Sequence, residues 1–333
     1  MSSVVNVVLS GGVGSRLWPL SRKSRPKQYL PIFEGETLFQ RTVSRNLELV
    51  DEVLIVGNKD NFELSRADMG KLNIDQYSEL VEAAPRNTAA AIAFAAFQCK
   101  EDDVLFVTPS DHLISPGAAY ESAVDRAVTL AQEGNIVTFG LQPTHPETGY
   151  GYIETAGEEV LGFHEKPGPE RANAFFKSGQ FLWNSGMFCF RAGMFLEELR
   201  RYEPQIFDHS YGAFLSKKGI YLPQQESTKI PSLSVDYAVM ERSEKIKVVP
   251  SAFDWSDMGS FEAIYDYLKE KGHYLDDAGN MVIGTEKHIE FTGLSDTLLI
   301  FTNDAVLALK KENSQEVKEV FQRLENERPE LVL

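Results

Sequence analysis

The sequence predicts an α/β protein with a mixed, mostly parallel sheet flanked by helices, followed by a small domain of short strands. Short apolar runs alternate with helix-type segments through the first half of the chain, which is typical of β-α units. Residues 150–190 alternate glycine and aromatic residues with polar ones, which favours hairpin strands laid across the sheet. After residue 275, three short β-type runs follow one another closely and a helical pattern succeeds them.

Each predicted element follows from one of these patterns. In the first half the predicted strands are Val4–Leu9, 53–56, 104–107 and 136–139, and the helices between them are 37–48, Asn87–Gln98 and Ala118–Gln132. Asn87 and Thr88 precede strong helix formers, which favours Asn87 as the helix cap. Further strands are predicted at 160–163 and 187–190, and an amphipathic helix at 260–271. We place a large domain at 1–275 and a small one at 276–333, which contains strands Met281–Ile283, Thr297–Phe301 and 305–309 and a helix at 316–325.

Composition and charge exclude several classes of protein. The 333 residues are 43% hydrophobic and 25% charged, as in soluble globular proteins. The chain has no apolar run long enough to span a membrane, and its first residues lack the pattern of a secretion signal. Cys99 and Cys189 lie in apolar stretches and are expected to be buried free thiols, which fits a cytoplasmic protein. The formal net charge of −16 disfavours nucleic acid and anionic membranes as partners.

A glycine-rich, basic segment after the first strand is the most informative feature of the chain. Gly11, Gly12 and Gly14 follow Val4–Leu9, and glycines let backbone N–H groups approach a ligand closely. Successive N–H groups of this kind form an anion-binding concavity. Five cations follow within a few residues: Arg16, Arg22, Lys23, Arg25 and Lys27. In an acidic chain this cluster indicates a site for several phosphates, although the glycines alone would also suit a tight turn.

Two common phosphate loops do not fit this segment. The Walker pattern fails because Leu17 and Trp18 stand where a lysine and a hydroxyl are required. The dinucleotide pattern G-x-G-x-x-G fails because Leu17 takes the place of its third glycine. The broken pattern argues against a nicotinamide-dependent dehydrogenase.

Other polar residues have a functional and a structural interpretation. Asp111 follows the strand at 104–107, where a carboxylate can bind Mg²⁺ or serve as a turn or cap residue. Glu165 and Lys166 are a candidate phosphate-binding pair or an ordinary surface ion pair. Both interpretations also stay open for three further groups: Gly149-Tyr150-Gly151 as a ligand contact or a hairpin turn, Asn184-Ser185-Gly186 as a sugar site or a loop before strand 187–190, and Asp236 as a ligand or a residue that favours a helix N-terminus.

The chain resembles the sugar-nucleotide pyrophosphorylases, and most closely their mannose-1-phosphate guanylyltransferase branch. The segment LSGGVGSRLWPLSR followed by Pro26-Lys27-Gln28 matches the signature loop of that family. The resemblance extends over nearly the whole chain through Arg86-Asn87-Thr88-Ala89, Pro109-Ser110-Asp111-His112, Gly149-Tyr150-Gly151-Tyr152-Ile153, Glu165-Lys166-Pro167, Trp183-Asn184-Ser185-Gly186-Met187-Phe188, the segment from Ser234 to Glu241, and Trp255-Ser256-Asp257-Met258-Gly259. Any single motif is weak, but their number and order make the resemblance specific.

This resemblance implies a Rossmann-like nucleotide-diphospho-sugar transferase fold with a left-handed β-helix-like C-terminal domain. It implies the reaction of GTP with mannose 1-phosphate to give GDP-mannose and pyrophosphate, with Mg²⁺ as cofactor, in a homodimer that the C-terminal domain helps to form. The alternatives are a transferase acting on another sugar 1-phosphate, such as a heptose 1-phosphate, or on another base, and a non-catalytic nucleotide-binding regulatory protein. The chain has every charged candidate residue, which argues against a non-catalytic regulatory protein.

The resemblance also implies roles for individual residues. The catalytic candidates are Arg16, Lys27 and Lys166, and the metal ligands are Asp111 and Asp257, with Asp254 as a competitor for the second position. The nucleotide-binding candidates are Leu9, Ser10, Gly11, Gly12, Gly14, Ser15, Arg16, Lys27, Glu82, Arg86, Asn87, Thr88, Ser110 and Asp111. The sugar-phosphate-binding candidates are Gly149, Tyr150, Gly151, Glu165, Lys166, Asn184, Ser185, Gly186 and Asp236. Glu82 is assigned to the N1 and N2 donors of guanine, and His112 to an orienting or structural role.

Overall fold

The chain forms two compact units that alternate along the sequence. The structure is a computed structural model and describes residues 2–333. Unit 1 consists of the segment up to Gly11 together with Gln40–Ser110 and Ile114–Trp255, and unit 2 consists of Gly12–Phe39, Asp111–Leu113 and Ser256–Leu333. The predicted boundary after residue 275 stays a prediction.

The described residues contain the following regular elements. The strands are β1 (Val4–Leu9), β2 (Glu52–Asn58), β3 (Ser78–Glu82), β4 (Val104–Pro109), β5 (Leu113–Ile114), β6 (Ile136–Leu141), β7 (Tyr152–Ala156), β8 (Glu159–His164), β9 (Phe181–Arg191), β10 (Tyr221–Leu222), β11 (Ile246–Ser251), β12 (Trp255–Ser256), β13 (Met281–Ile283), β14 (Thr297–Phe301) and β15 (Val306–Lys310). The helices are α1 (Leu38–Asn46), α2 (Phe62–Lys71), α3 (Asn87–Gln98), α4 (Ala118–Gln132), α5 (Pro169–Ser178), α6 (Ala192–Tyr202), α7 (Pro204–Leu215), α8 (Gln224–Ser227), α9 (Phe261–Glu270) and α10 (Val317–Glu327). No helix among them is long and apolar enough to cross a membrane.

Unit 1 is built on a sheet in the order β10-β3-β2-β1-β4-β9-β6-β11-β8-β7. Strand β1 pairs in parallel with both β2 and β4, whereas β9 pairs antiparallel with β4 and β6. The carboxyl ends of β1, β2, β3 and β4 therefore open at the same edge, where open α/β sheets bind their ligands. This arrangement confirms the predicted α/β class and the mixed sheet.

The sheet is buried on both faces, and alternate residues of β4 show this. Leu105 and Val107 join the apolar cluster that contains α3, whereas Val104 and Phe106 join the cluster that contains α4. A strand covered on both faces is apolar throughout, which is why its sequence has no polar alternation.

Unit 2 combines the glycine-rich segment with the C-terminal strands in one core. Strand β14 pairs in parallel with β13 and antiparallel with β15. Leu17 and Trp18 pack in the same apolar cluster as Leu298 and Phe321, and the indole Nε1 of Trp18 donates to the carbonyl oxygen of Leu331 at 2.8 Å. The segment that follows β1 thus depends on the C-terminal part of the chain for its packing.

Most predicted elements are confirmed, and three local predictions are wrong. Asn184-Ser185-Gly186 lies inside β9, not in a loop before a strand. Gly149-Tyr150-Gly151 precedes β7, and the turn of the β7–β8 hairpin contains Gly157 instead. Asn87 is the first residue of α3, and Arg86 stands at the cap position without a side-chain cap bond. Asn87 has a φ of 71°, and its side-chain oxygen accepts from the N–H of Thr88.

Candidate active site

The glycine-rich segment forms a turn in which Gly14 has a different function from Gly11 and Gly12. A Cβ atom on Gly11 or Gly12 would meet nothing within 4 Å, so packing within the chain does not require glycine there. Gly14 adopts a φ of 73°, and a Cβ atom on it would lie 2.5 Å from the Cβ of Lys27. Gly14 is therefore needed to bring Lys27 against the loop, whereas Gly11 and Gly12 leave space for a ligand beside the backbone.

The basic cluster divides into two groups. Arg22 binds Asp304 at 2.7 Å, and Lys23 binds Glu325 at 2.7 Å. These two cations bind carboxylates of the C-terminal segment of unit 2, and neither was among the predicted phosphate-binding residues, which were Arg16 and Lys27. Arg16 lies half-buried in the 3-10 turn Ser15–Leu17 directly after Gly14, and its predicted phosphate contact stays a prediction.

Lys27 contacts both predicted metal ligands. Its side chain is buried, and its Nζ lies 2.8 Å from Oδ2 of Asp111 and donates to the main-chain oxygen of Asp257 at 2.6 Å. The side chain of Asp257 accepts from the N–H of Gly259 at 2.9 Å. His112 lies 3.7 Å from Asp111, consistent with its orienting role. Burial alone would raise the pKa of Asp111, but the charges of Lys27 and His112 and the Lys27 hydrogen bond outweigh it and lower that pKa.

These groups fit a divalent cation. Asp111 and Asp257 carry carboxylates, the donors that Mg²⁺ prefers together with phosphate oxygens and waters. The buried ammonium of Lys27 already holds a positive charge between Asp111 and the main chain of Asp257. The surroundings therefore accommodate a cation, and an arriving metal ion would compete with Lys27 for Asp111.

Glu82 is a buried carboxyl at the carboxyl end of β3. It is only 4% exposed, and its Oε1 has no hydrogen-bond partner among the described residues. Burial raises the pKa of Glu82 to about 8, although the backbone N–H of Arg86 bonds to the carboxylate and opposes the shift. A buried acceptor without a partner is costly, so Glu82 is available for a ligand that donates hydrogen bonds.

The turn after Glu82 leads into α3 and carries three further residues that were predicted to bind the nucleotide, Arg86, Asn87 and Thr88. The Nε of Arg86 donates to the carbonyl oxygen of Ile230 at 2.6 Å, and Thr88 Oγ1 accepts from the N–H of Val235 at 2.9 Å. Both side chains therefore fix the turn to a neighbouring segment, whereas Asn87 is exposed. Arg86 and Thr88 are positioned to shape this end of the sheet, and their predicted nucleotide contacts stay predictions.

Lys166 and Glu165 form a pair at the end of β8. The Nζ of Lys166 donates to Oε1 of Glu165 at 2.7 Å, with the Lys166 side chain 58% exposed and that of Glu165 7% exposed. Burial would lower the pKa of Lys166, but the hydrogen bond and charge of Glu165 outweigh it and raise that pKa. The Lys166 ammonium is exposed and paired with its sequence neighbour, so the interpretations as a surface ion pair and as a phosphate-binding group both stay open.

Asn184 organises a second carboxyl next to this pair. Its Nδ2 donates to Oδ1 of Asp236 at 3.1 Å, and its Oδ1 accepts from Thr138 at 2.8 Å. Burial, with the nearby charge of Glu165, raises the pKa of Asp236 to about 6. Asp236 is the first residue of the π-helical turn Asp236–Met240. Carboxyls, an amide and a lysine within one region suit a ligand that carries hydroxyls and an anion.

An aromatic wall accompanies these polar groups in unit 1. The ring of Tyr150 meets the ring of Trp183 edge-on at 5.2 Å and the ring of Trp255 at 5.1 Å. A Cβ atom on Gly151 would lie 2.6 Å from Oε2 of Glu165, so only glycine allows this carboxylate its position. A few polar groups on an aromatic wall are typical of sites for small polar ligands.

Several predicted residues have internal partners, and the sequence analysis missed others. The hydroxyl of Ser185 is buried and accepts from the N–H of Met187, and its ligand contact stays a prediction. Thr138 and Glu241, which bond to Asn184 and to the N–H of Glu165, were missed. Thr138 had a detectable signal, since it is a polar residue inside an apolar strand. Glu241 had none.

An α/β sheet whose first strand leads into a glycine-rich, basic loop is the architecture of a protein that binds nucleotide phosphates. A family model described as "Nucleotidyl transferase" matches residues 5–272, and a second, described as "MannoseP isomerase/GMP-like beta-helix domain", matches residues 274–324. The chain belongs to the nucleotidyl transferase family, which confirms the family and the class of enzyme that the sequence predicted. The second match supports the β-helix-like nature of the C-terminal part.

Individual relatives agree with this assignment. The chain is 38% identical to the xanthan biosynthesis protein XanB of Xanthomonas campestris, over 98% of this chain and 74% of that protein. It is 36% identical to a mannose-1-phosphate guanylyltransferase of Escherichia coli, over 97% of this chain and 74% of that protein. A solved structure described as a mannose-1-phosphate geranyltransferase from Thermus thermophilus aligns with a TM-score of 0.82 and 32% identity, over 97% of this chain and 99% of that chain.

Proposed function

We propose that the protein joins GTP and α-D-mannose 1-phosphate to give GDP-mannose and pyrophosphate. The observation that carries the proposal is a second cation, Lys166, which pairs with Glu165 and has the buried carboxyl of Asp236 nearby. A protein that only binds a nucleotide needs the glycine loop, whereas this further cluster suits a sugar that bears a phosphate. The relative named mannose-1-phosphate guanylyltransferase at 36% identity supports the choice of sugar and base.

The reaction is an in-line displacement at the α-phosphorus of GTP. An oxygen of the sugar phosphate forms a bond to that phosphorus, and the bond to the oxygen that bridges the α- and β-phosphorus breaks. Pyrophosphate leaves with the electron pair of the broken bond. Because the attacking phosphate is already anionic near neutral pH, the step needs no general base. The obstacle is the approach of two anions, so positioning and charge stabilisation carry the catalysis.

The cations of the chain have distinct tasks in this reaction. Arg16 and Lys27 bind the β- and γ-phosphates and stabilise the charge that grows on the leaving pyrophosphate. Lys166 holds the attacking phosphate. Glu165, Asp236 and Asn184 orient the sugar through its hydroxyls.

Mg²⁺ is part of the proposal, with Asp111 and Asp257 as its ligands. A bound Mg²⁺ supplies positive charge that neutralises phosphate oxygens. Asp111 pairs with Lys27 at 2.8 Å, so this carboxylate would be shared between the ammonium and the ion.

Turnover with a panel of substrates tests the proposal. Pyrophosphate release is measured across several nucleoside triphosphates and several sugar 1-phosphates, including a heptose 1-phosphate. We expect selective turnover of GTP with mannose 1-phosphate. Selective turnover of another pair would move the protein to a different transferase of the same family, and binding of nucleotide without turnover of any pair would favour a regulatory protein.

Because Glu82 is assigned to bind guanine, the KM for GTP is predicted to depend on pH. Only the ionised carboxylate accepts from both N1–H and N2–H of guanine, whereas burial raises the pKa of Glu82 to about 8. Below that pH, GTP must displace a proton to bind, so its KM should fall as the pH rises from about 6.5 to about 8 and then level off. The measurement is KM for GTP against pH, in the intact protein and in Glu82→Gln.

In Glu82→Gln the KM for GTP should be higher, and its fall between about pH 6.5 and about pH 8 should disappear. The KM for mannose 1-phosphate serves as the internal control, because Glu82 does not act on the sugar.

A second readout is the stability of the protein. Because the pKa of Glu82 is higher in the folded than in the unfolded protein, the protein loses stability as the pH rises from the unfolded pKa toward about 8. At the upper end of this pH range, Glu82→Gln should therefore melt at a higher temperature than the intact protein. An unchanged KM profile in the variant contradicts the assignment.

A cytoplasmic homodimer completes the proposal. Cys99 and Cys189 are free thiols, as a reducing compartment would keep them. The dimer follows from the family resemblance, which implies that the C-terminal domain helps to form it.

A further inference from the structure

Strand β9 is irregular where it passes through the predicted sugar site. Its pairing with β6 changes from Thr138 opposite Phe188 to Gly140 opposite Asn184, so two steps along β6 match four steps along β9. The extra residues of β9 include Gly186, whose φ is 72°. Bulges of this kind re-aim side chains and are common beside active sites. The bulge therefore gives Asn184 and Thr138 an arrangement that regular pairing would not give them.

The neighbours of Asn184 fix the direction in which its side-chain amide points. Its Oδ1 accepts from the N–H of Gly186 at 3.2 Å and from the hydroxyl of Thr138 at 2.8 Å. Its Nδ2 donates to Oδ1 of Asp236 at 3.1 Å. The reverse orientation would place Nδ2 against the N–H of Gly186 and Oδ1 against the carboxylate of Asp236, so donor would meet donor and acceptor would meet acceptor. The amide thus has a single favourable orientation.

Thr138 is the buried end of this hydrogen-bond chain. It is fully buried in β6, and the second oxygen near its hydroxyl, the carbonyl of Met187 at 3.3 Å, is also an acceptor. The hydroxyl therefore donates, and its shorter bond goes to Asn184. A buried hydroxyl in an apolar strand is costly unless it is bonded, and valine has nearly the same shape without that cost. The packing of the sheet alone thus gives no reason for a threonine here.

The other end of the chain is Asp236. Burial, with the nearby charge of Glu165, raises the pKa of Asp236 to about 6, so near neutral pH this carboxyl is mainly ionised and accepts hydrogen bonds. Nδ2 of Asn184 carries two hydrogens, and one of them serves Asp236. The second hydrogen has no acceptor among the described residues. A sugar hydroxyl beside Asp236 can accept this hydrogen and donate its own to the carboxylate.

We propose that Thr138 is a positioning residue for the sugar, which holds the Asn184 amide so that Nδ2 serves both Asp236 and a sugar hydroxyl. This inference rests on the proposed function, because it concerns the same sugar site. Thr138 is fully buried, so it acts on the substrate only through Asn184. Removal of its hydroxyl should therefore weaken binding of the sugar phosphate and leave the nucleotide unaffected.

Steady-state kinetics of Thr138→Val test the proposal. Valine keeps the shape of the side chain, but Oδ1 of Asn184 loses its 2.8 Å donor and keeps only the longer bond from Gly186. We expect the KM for mannose 1-phosphate to rise about three- to tenfold, while the KM for GTP changes less than about twofold. Thr138→Ser keeps the hydroxyl and should have the KM of the intact protein. An unchanged KM in Thr138→Val, or an equal rise in Thr138→Ser, would overturn the proposal.

Thr108→Val is the matched control. Thr108 is also a fully buried threonine inside an apolar strand, β4, and its hydroxyl accepts from Nδ2 of Asn6 at 2.9 Å. This variant should lower the melting temperature and leave the KM for mannose 1-phosphate unchanged. An equal rise of that KM in Thr108→Val would show a general loosening of the sheet and would count against a specific role of Thr138.

A double-mutant cycle tests whether Thr138 acts through Asn184. Asn184→Ala should itself raise the KM for mannose 1-phosphate, because it removes the amide that Thr138 holds. Adding Thr138→Val to this variant should then raise the KM no further. Additive effects of the two changes would contradict the inference.

The intact protein separates this inference from the proposed function. If it turns over a different sugar 1-phosphate, the proposed function fails, and the same variants are measured with that sugar, for which the same rise in KM is expected. If it turns over no pair of substrates, the dissociation constant of mannose 1-phosphate is measured by calorimetry in the intact protein and in Thr138→Val. A weaker constant in the variant supports the positioning role, whereas equal constants or no binding at all would overturn it.

Discussion

Asp111→Asn is expected to remove nearly all turnover, by on the order of a hundredfold or more, because it removes two interactions at once. The variant loses the negative charge that a metal ion requires. It also leaves the buried ammonium of Lys27 without its carboxylate partner at 2.8 Å. Breaking a buried pair destabilises a protein, and since Asp111 is 33% exposed we expect a loss of about 1–3 kcal/mol in folding free energy.

Asp257→Asn should lower turnover by a similar factor but cost less stability. Lys27 is held by the main-chain oxygen of Asp257, and this bond survives the change of the side chain. The two variants therefore separate the metal role, which both lose, from the pairing with Lys27, which only Asp111→Asn loses. Turnover and melting temperature are measured for each, with a titration of Mg²⁺.

Asp254→Asn is the matched control for these two variants. Asp254 was the competing candidate for the second metal position, and it is exposed, with its main-chain oxygen bound to the N–H of Ser115. It should keep the turnover and stability of the intact protein. Full turnover of Asp111→Asn or Asp257→Asn at ordinary Mg²⁺ would disprove the metal assignment, and loss of turnover in Asp254→Asn would move the second ligand there.

The sequence specifies the regular elements of this fold well where local signals agree with burial. Strand β1 and helices α3 and α4 have the predicted bounds, because a continuous apolar run or a run of strong helix formers has one stable environment. Helix α5 was missed, since the alternation of glycine and aromatic residues through 150–190 hid the helix that Pro169 begins and Gly179 ends. Such short segments depend on tertiary packing more than on propensity.

The candidate site was predicted by residue type, but the partners of each residue were not. The segment that follows β1 reads as a single basic cluster, yet Arg22 and Lys23 bind Asp304 and Glu325, which lie near the other end of the chain. Neither carboxylate belongs to a motif, so local sequence could not reveal these pairs. The orphaned oxygen of Glu82 is likewise a property of burial, which a single sequence does not show.

Removing the C-terminal part is expected to damage catalysis as well as stability. Residues 272–333 supply Met281, Leu298 and Phe321 to the same core as Leu17 and Trp18. Asp304 and the carbonyl oxygen of Leu331 hold Arg22 and Trp18 by hydrogen bonds. A chain that ends at Lys271 therefore loses the support of the turn that carries Arg16, although every proposed catalytic residue is still present.

The truncated chain should melt at a lower temperature and retain little turnover, but it is a severe change, so a milder variant makes the prediction specific. Trp18→Phe keeps an aromatic ring and removes the Nε1 bond to Leu331, which is 2.8 Å long. Because the turn is proposed to bind the triphosphate, this variant should lower kcat/KM for GTP by about two- to tenfold while the KM for mannose 1-phosphate stays the same. Tyr274→Ser is the control, since Tyr274 is 81% exposed in the same part of the chain and should change neither quantity. An unaltered kcat/KM for GTP in Trp18→Phe, together with an unaltered melting temperature in the truncated chain, would show that the C-terminal part supports neither the fold nor the phosphate loop.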